Sequence, residues 1–200
     1  MFTSKLGVFE CNIKKFVKYM LAANFDELIV ITLAILMSLP LPLLPLQILW
    51  INFVTDAFPS MALSVEPAEP DVMRRKPTKQ GILEGNLKFI VAAGLMGFII
   101  SFLMFYLFMA NLDKARTMAV TTMVLYEMFL VFNCRTKGSV FKAPVNKYVV
   151  YAVLFSLALH LLVVYTPLSA VFGMVPIGIM DWIIITAACG VMFLVMDYIK

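Results

Sequence analysis

Apolar runs near the length of a bilayer crossing alternate along this chain with short polar or proline-rich segments. The runs are Tyr19 to Leu39, Leu46 to Leu63, Phe89 to Ala110, Met118 to Phe132, Tyr148 to Tyr165 and Trp182 to Tyr198. A helix needs roughly 20 mostly apolar residues to cross the hydrocarbon core. The pattern therefore predicts an all-α membrane protein, a six-transmembrane-helix bundle with short loops. Met118 to Phe132 is short for a crossing, so Ala115 to Thr117 must extend it, and its Thr121, Thr122, Tyr126 and Glu127 place it inside the bundle. Residues 1–18 are polar and basic, with an amphipathic stretch from Phe9 to Met20 that continues into the first run. Pro40, Pro42 and Pro45 end that run in a tight turn, because proline cannot continue a helix.

Composition agrees with this. The chain is 62% hydrophobic and 14% charged, with mean hydropathy +0.96; a soluble domain carries about 25% charged residues. Residues 1–200 read as a single membrane domain, with 1–18 a helix start outside the bilayer and 19–200 the six spans. The net charge of +4 does not indicate nucleic acid, since the basic residues sit in loops between apolar runs. Six spans put both termini on one side. Fourteen Lys and Arg then fall on the terminus side and only Lys114 and Arg116 on the other, so the positive-inside rule makes both termini cytoplasmic. Trp182, Tyr198, Tyr148 and Tyr165 stand near run ends, where aromatic residues favour the headgroup region. Cys11, Cys134 and Cys189 lack metal-ligand spacing and read as small apolar residues. No secretory cleavage signal follows the basic N-terminus.

The candidate chemistry lies within the spans. Leu46 to Leu63 carries Asn52, Thr55 and Asp56, with Pro59 three residues on. Spacings of three and four place Asn52, Thr55 and Asp56 on roughly one helix face, and Pro59 frees backbone carbonyls nearby. On the first run Asn24 and Glu27 share a face while Asp26 points elsewhere; Glu127 lies on the fourth. No Lys or Arg stands at comparable depth in any span. Intramembrane carboxylates without a basic partner mark function by default. Hard oxygens suit hard cations, and protons compete with the metal for them. Asp26, without a partner at helical spacing, reads as a bland position. His160 reads as a satisfied buried histidine, the methionines as packing, and Gly94 with Gly97 either as a close helix approach or as lipid-facing positions. The segment RRKPTK reads as a solvated loop, with a docking surface as the other possibility.

Three blocks, NIKKFVKYMLAANFDE, LPLQILWINFVTDAFPSMALSVEPAEPDVM and ARTMAVTTMVLYEMFLVFNCR, resemble the last six membrane helices of P-type cation-transporting ATPases, and calcium pumps most of all. The resemblance runs from about Val8 onward and makes residues 1–18 a stalk-like helix start, although the opening MFTSKLG does not match the family. It implies metal ligands at Asn24, Glu27, Asn52, Thr55, Asp56 and Glu127. Asn24, Glu27, Thr55, Asp56 and Glu127 would form a first calcium site, and Asn52 with Asp56 part of a second. Asn52 stands where sodium pumps carry an aspartate. Asp26 stands where calcium pumps often have a small residue.

The sequence has no Asp-Lys-Thr-Gly-Thr phosphorylation motif, and no nucleotide or actuator domain is legible in it. The expected function is thus the Ca²⁺-binding and translocation half of a P-type ATPase, without an ATPase centre of its own. Ca²⁺, or another cation, is the transported ion, and Mg-ATP acts only through domains beyond these residues. Expected partners are the lipid bilayer, the cation and the remaining pump domains or a pump polypeptide, not nucleic acid. The expected location is the plasma membrane. Two alternatives are a stand-alone, non-enzymatic remnant that binds cations or modulates a pump, and a cation or proton carrier independent of ATP.

Overall fold

Apolar sequence without β-branched alternation folds here as helices throughout. A computed structural model of the chain describes residues 2–67, 85–136 and 138–200, and these contain no strand. Helix α1 spans Phe2–Leu36, so the amphipathic start and the first apolar run form one continuous helix. It ends at Ser38, whose φ of 54° turns the chain before the prolines. The second run is three pieces in series: α2 over Pro45–Trp50, a π-helical turn over Ile51–Thr55, and α3 over Ala57–Ser64. Then come α4 over Leu87–Leu107 and α5 over Leu112–Arg135. A 3₁₀ turn over Val140–Lys142 leads to α6 over Lys147–Tyr165, the short α7 over Leu168–Phe172, and α8 over Ile179–Ile199. Much of the loop after α3, including RRKPTK, lies outside the described residues.

Five of these helices, in α1, α4, α5, α6 and α8, are long and apolar enough to cross a membrane. The segment 45–64 falls short as a regular helix because it is broken in its middle. Helix α5 is the central post. Nearly every residue from Ala115 to Arg135 is buried, including Thr117, Thr121, Thr122 and Glu127, as the polarity of that run predicts. By contrast α6 and α8 turn Leu154, Phe155, Ile183, Val191 and Leu194 outward, an apolar surface suited to lipid.

The α1–α4 seam is close because α4 presents glycine to it. A Cβ on Gly94 would strike the Phe25 ring, and one on Gly97 would strike Asp26 Oδ2 and the Tyr126 ring. The two glycines therefore serve helix approach, not a lipid-facing surface.

Polar clasps hold both ends of the bundle. At one end Asn12 Nδ2 donates to Ser64 O (3.2 Å) and Glu66 O (2.8 Å). The Glu66 carboxylate in turn accepts from Arg135 Nε and Nη2 (3.0 and 2.8 Å) and from Asn146 Nδ2 (2.6 Å). Lys200 Nζ reaches Asn133 Oδ1 (3.1 Å) and Asp197 (2.8 Å). The end of α8 thus meets the last turn of α5 directly, and α1 is tied to it through Glu66. At the other end Gln47 Nε2 donates to Phe172 O (2.9 Å), Arg116 Nε to Leu41 O (3.0 Å), and Lys114 pairs with Asp181 (2.9 Å).

Candidate functional site

The break in the second run creates the site. Asp56 N donates to Ile51 O (2.9 Å), five residues back, which widens the helix by one residue per turn. Asp56 then stands at the junction, and Ala57 begins a new α-helix with Pro59 in its first turn, where a missing N–H costs least. In a regular helix Pro59 N would bond the Thr55 carbonyl. That carbonyl instead accepts from Ser156 Oγ of α6 (3.2 Å). The freed backbone oxygen predicted from Pro59 is present, and a neighbouring helix supplies its donor.

The carboxylates gather around this junction. Asp56 is buried, and its Oδ1 accepts from the Tyr19 hydroxyl of α1 (2.8 Å). Glu127 of α5 faces Asp56 carboxyl to carboxyl, and neither Glu127 oxygen has a hydrogen-bond donor. Two acceptors that meet in this way need a cation, a proton or water between them. Glu27 Oε2 accepts from Asn52 Nδ2 (2.7 Å), while Glu27 Oε1 is left without a partner. Asn52 also donates to Ile48 O (3.1 Å), and Thr55 Oγ1 to Ile51 O (2.9 Å).

Five of the six sequence-derived residues, Glu27, Asn52, Thr55, Asp56 and Glu127, therefore lie where α1, the π-turn and α5 converge. Asn24 does not join them. It is exposed and donates to Met20 O of its own helix (2.7 Å). Asp26, read from sequence as bland, is fully buried with both oxygens unpartnered. His160 is buried and shares a 3.1 Å hydrogen bond with Thr121 Oγ1, but its Nδ1 has no partner, so it is half satisfied. Tyr19 and Ser156 escaped the sequence reading. Only Tyr19 left a trace there, eight residues before Glu27 on the same helical stripe.

As they stand, no three His, Cys, Asp or Glu side chains among the described residues converge tightly enough to hold an ion. What the junction offers is a mixed set of carboxylate, amide and hydroxyl oxygens with few donors of its own. Buried acids at a broken helix in an apolar, all-helical bundle are features shared with membrane helices that carry ions.

Comparison with known proteins makes the class specific. The family model described as cation transporting ATPase, C-terminus, matches residues 40–200, and the chain belongs to that family. It is 42% identical over 184 residues to a calcium-transporting ATPase of Bacillus subtilis, covering 87% of this chain and 21% of the relative. Calcium-transporting ATPase 1 of Bacillus cereus is 31% identical over 196 residues, 86% of this chain and 22% of the relative. Human calcium-transporting ATPase type 2C member 1 is 35% identical over 199 residues, 94% of this chain and 22% of the relative. The chain spans about a fifth of the length of these relatives.

Proposed function

We propose that this chain is the cation-binding and translocation part of a P-type calcium pump, holding Ca²⁺ in mid-membrane while other domains supply the energy. The observation that carries the reading is Asp56 at the π-to-α junction, carboxyl to carboxyl with Glu127 where the helix is broken. Glu27, Asp56 and Glu127 supply charge; Asn52 and Thr55 supply neutral oxygens. Asn24 joins only when its side chain leaves Met20 O, and its exposure leaves it free to turn. The segment 45–64 is the sixth span. Its broken middle has the form of the discontinuous helices that carry transporter sites. Both termini lie in the cytoplasm, in keeping with the fourteen-to-two basic bias. Calcium takes six to eight oxygens and its affinity follows ligand charge, which fits a set of three carboxylates with two neutral side chains. The activity of a whole pump would need phosphorylation, nucleotide and actuator domains beyond these residues.

The test is a calcium titration of the detergent-solubilised chain, wild type against Asp56→Asn. The substitution keeps size and one oxygen but removes a charged ligand, and we expect binding to weaken about 100-fold or more. Equal isotherms for the two proteins would reject the reading.

A further inference from the structure

Resting on the cation-binding reading above, we infer that Asp26 is a further ligand for a hard divalent cation of the Ca²⁺ type. It would enter the carboxylate cluster from the α4 side together with Glu127. Asp26 is fully buried and neither oxygen has a partner. The Glu27 amide lies beside the carboxylate without reaching hydrogen-bonding geometry. A buried carboxylate with no partner is costly, and one proton cannot serve both oxygens. A proton on one oxygen would still leave the other without a donor. A cation, which accepts several oxygens from any direction, satisfies both.

The surroundings are built for an open carboxylate. Gly97 lies directly against Asp26 Oδ2, and any Cβ there would displace it. The Tyr126 ring closes the same spot, but its hydroxyl is engaged with Ala93 O (2.6 Å) and does not reach Asp26. One turn beyond Gly97 on the same face of α4, the Ser101 hydroxyl is also fully buried and unpartnered, a neutral oxygen in helical register with the seam. Across the cluster, Asp26 lies within electrostatic reach of Glu27, Asp56 and Glu127. Four carboxylates balance the charge of two divalent ions, where three do not.

The experiment uses the purified full chain in detergent, radioactive Ca²⁺ as the probe, and four proteins: wild type, Asp26→Asn, Gly97→Ala and Asp56→Asn. Equilibrium binding is read as affinity and as ions bound per folded chain, and thermal unfolding is read with and without Ca²⁺. We expect Asp26→Asn to lose about tenfold or more in affinity, or one of the bound ions. Gly97→Ala should reproduce a smaller loss by pushing the carboxylate aside. Calcium-free melting of Asp26→Asn should stay at or above wild type, since a buried charge has been removed. If Asp26→Asn and Gly97→Ala keep the wild-type isotherm while Asp56→Asn loses it, the inference fails and the proposed function stands. If Asp26→Asn melts lower without calcium yet binds as wild type per folded chain, Asp26 is a packing residue and the inference fails. Absence of binding by the wild type overturns both.

Discussion

Removing one oxygen atom, in Tyr19→Phe, tests how Asp56 is held. The ring of Tyr19 is fully buried, and Phe keeps its packing. What is lost is the 2.8 Å hydrogen bond to Asp56 Oδ1. A hydrogen bond to a charged group contributes about 1.5–3 kcal/mol. The other group against Asp56 is the Glu127 carboxyl, which already meets it in the wild type and so does not take over the lost donor. For a chain of this length 1 kcal/mol corresponds to roughly 2–4 °C in Tm. The variant, solubilised in detergent without calcium, should therefore melt about 3–12 °C below wild type. Orienting partners behind a metal ligand are typically worth about 10–100-fold in affinity, so a calcium titration of the same samples should weaken by about tenfold. Melting within a degree of wild type together with an unchanged calcium isotherm would show that the Tyr19 hydroxyl neither holds nor aims Asp56.

Four further outcomes are expected. Ser156→Ala leaves the Thr55 carbonyl without its donor and should destabilise the chain by about 1–3 kcal/mol, read by thermal unfolding; no change would mean that water serves that oxygen. Arg135→Met strands the buried Glu66 carboxylate and should cost about 3–5 kcal/mol, whereas Arg135→Met combined with Glu66→Gln should recover part of the loss in the same assay. A cysteine placed at the exposed Ala170, in a chain whose native cysteines are replaced, should be labelled only from the non-cytoplasmic face; labelling only from the cytoplasm would invert the proposed topology. The purified chain should show no cation-stimulated ATP hydrolysis, since phosphoryl transfer needs a phosphate cradle and a metal site of its own; activity in a preparation free of other ATPases would contradict this.

Much of the architecture was legible because bilayer helices announce themselves by length and hydropathy. The burial of α5 followed from Thr121, Thr122, Tyr126 and Glu127, which lipid would not tolerate. The break followed from Asp56 and Pro59, although periodicity could not show that it takes the form of a π-turn upstream of the proline. Helical spacing assigns residues to faces, not faces to neighbours. Asp26 and Glu27 differ by about 100° around α1, so placing Asp26 off the Glu27 face was sound. That its own face meets Gly97 on α4 depends on a packing choice made seventy residues later. Asn24 shows the converse: its spacing puts it on the Glu27 face, yet its side chain bonds its own helix. Tyr19 and Ser156 act through contacts 37 and 101 residues distant in sequence, which no local pattern encodes.

That last separation bears on the order of synthesis. A chain emerges N-terminus first, at roughly 5–20 residues per second. Tyr19 is therefore waiting when Asp56 appears, but the hydroxyl that satisfies the Thr55 carbonyl is not made until α6. For the seconds between, the broken segment carries an open backbone oxygen and an acid whose facing helix, α5, is also still to come. Lipid offers neither of them a donor. Until α6 is made, the Thr55 carbonyl must find its donor in water or elsewhere, so the break is closed only late in synthesis.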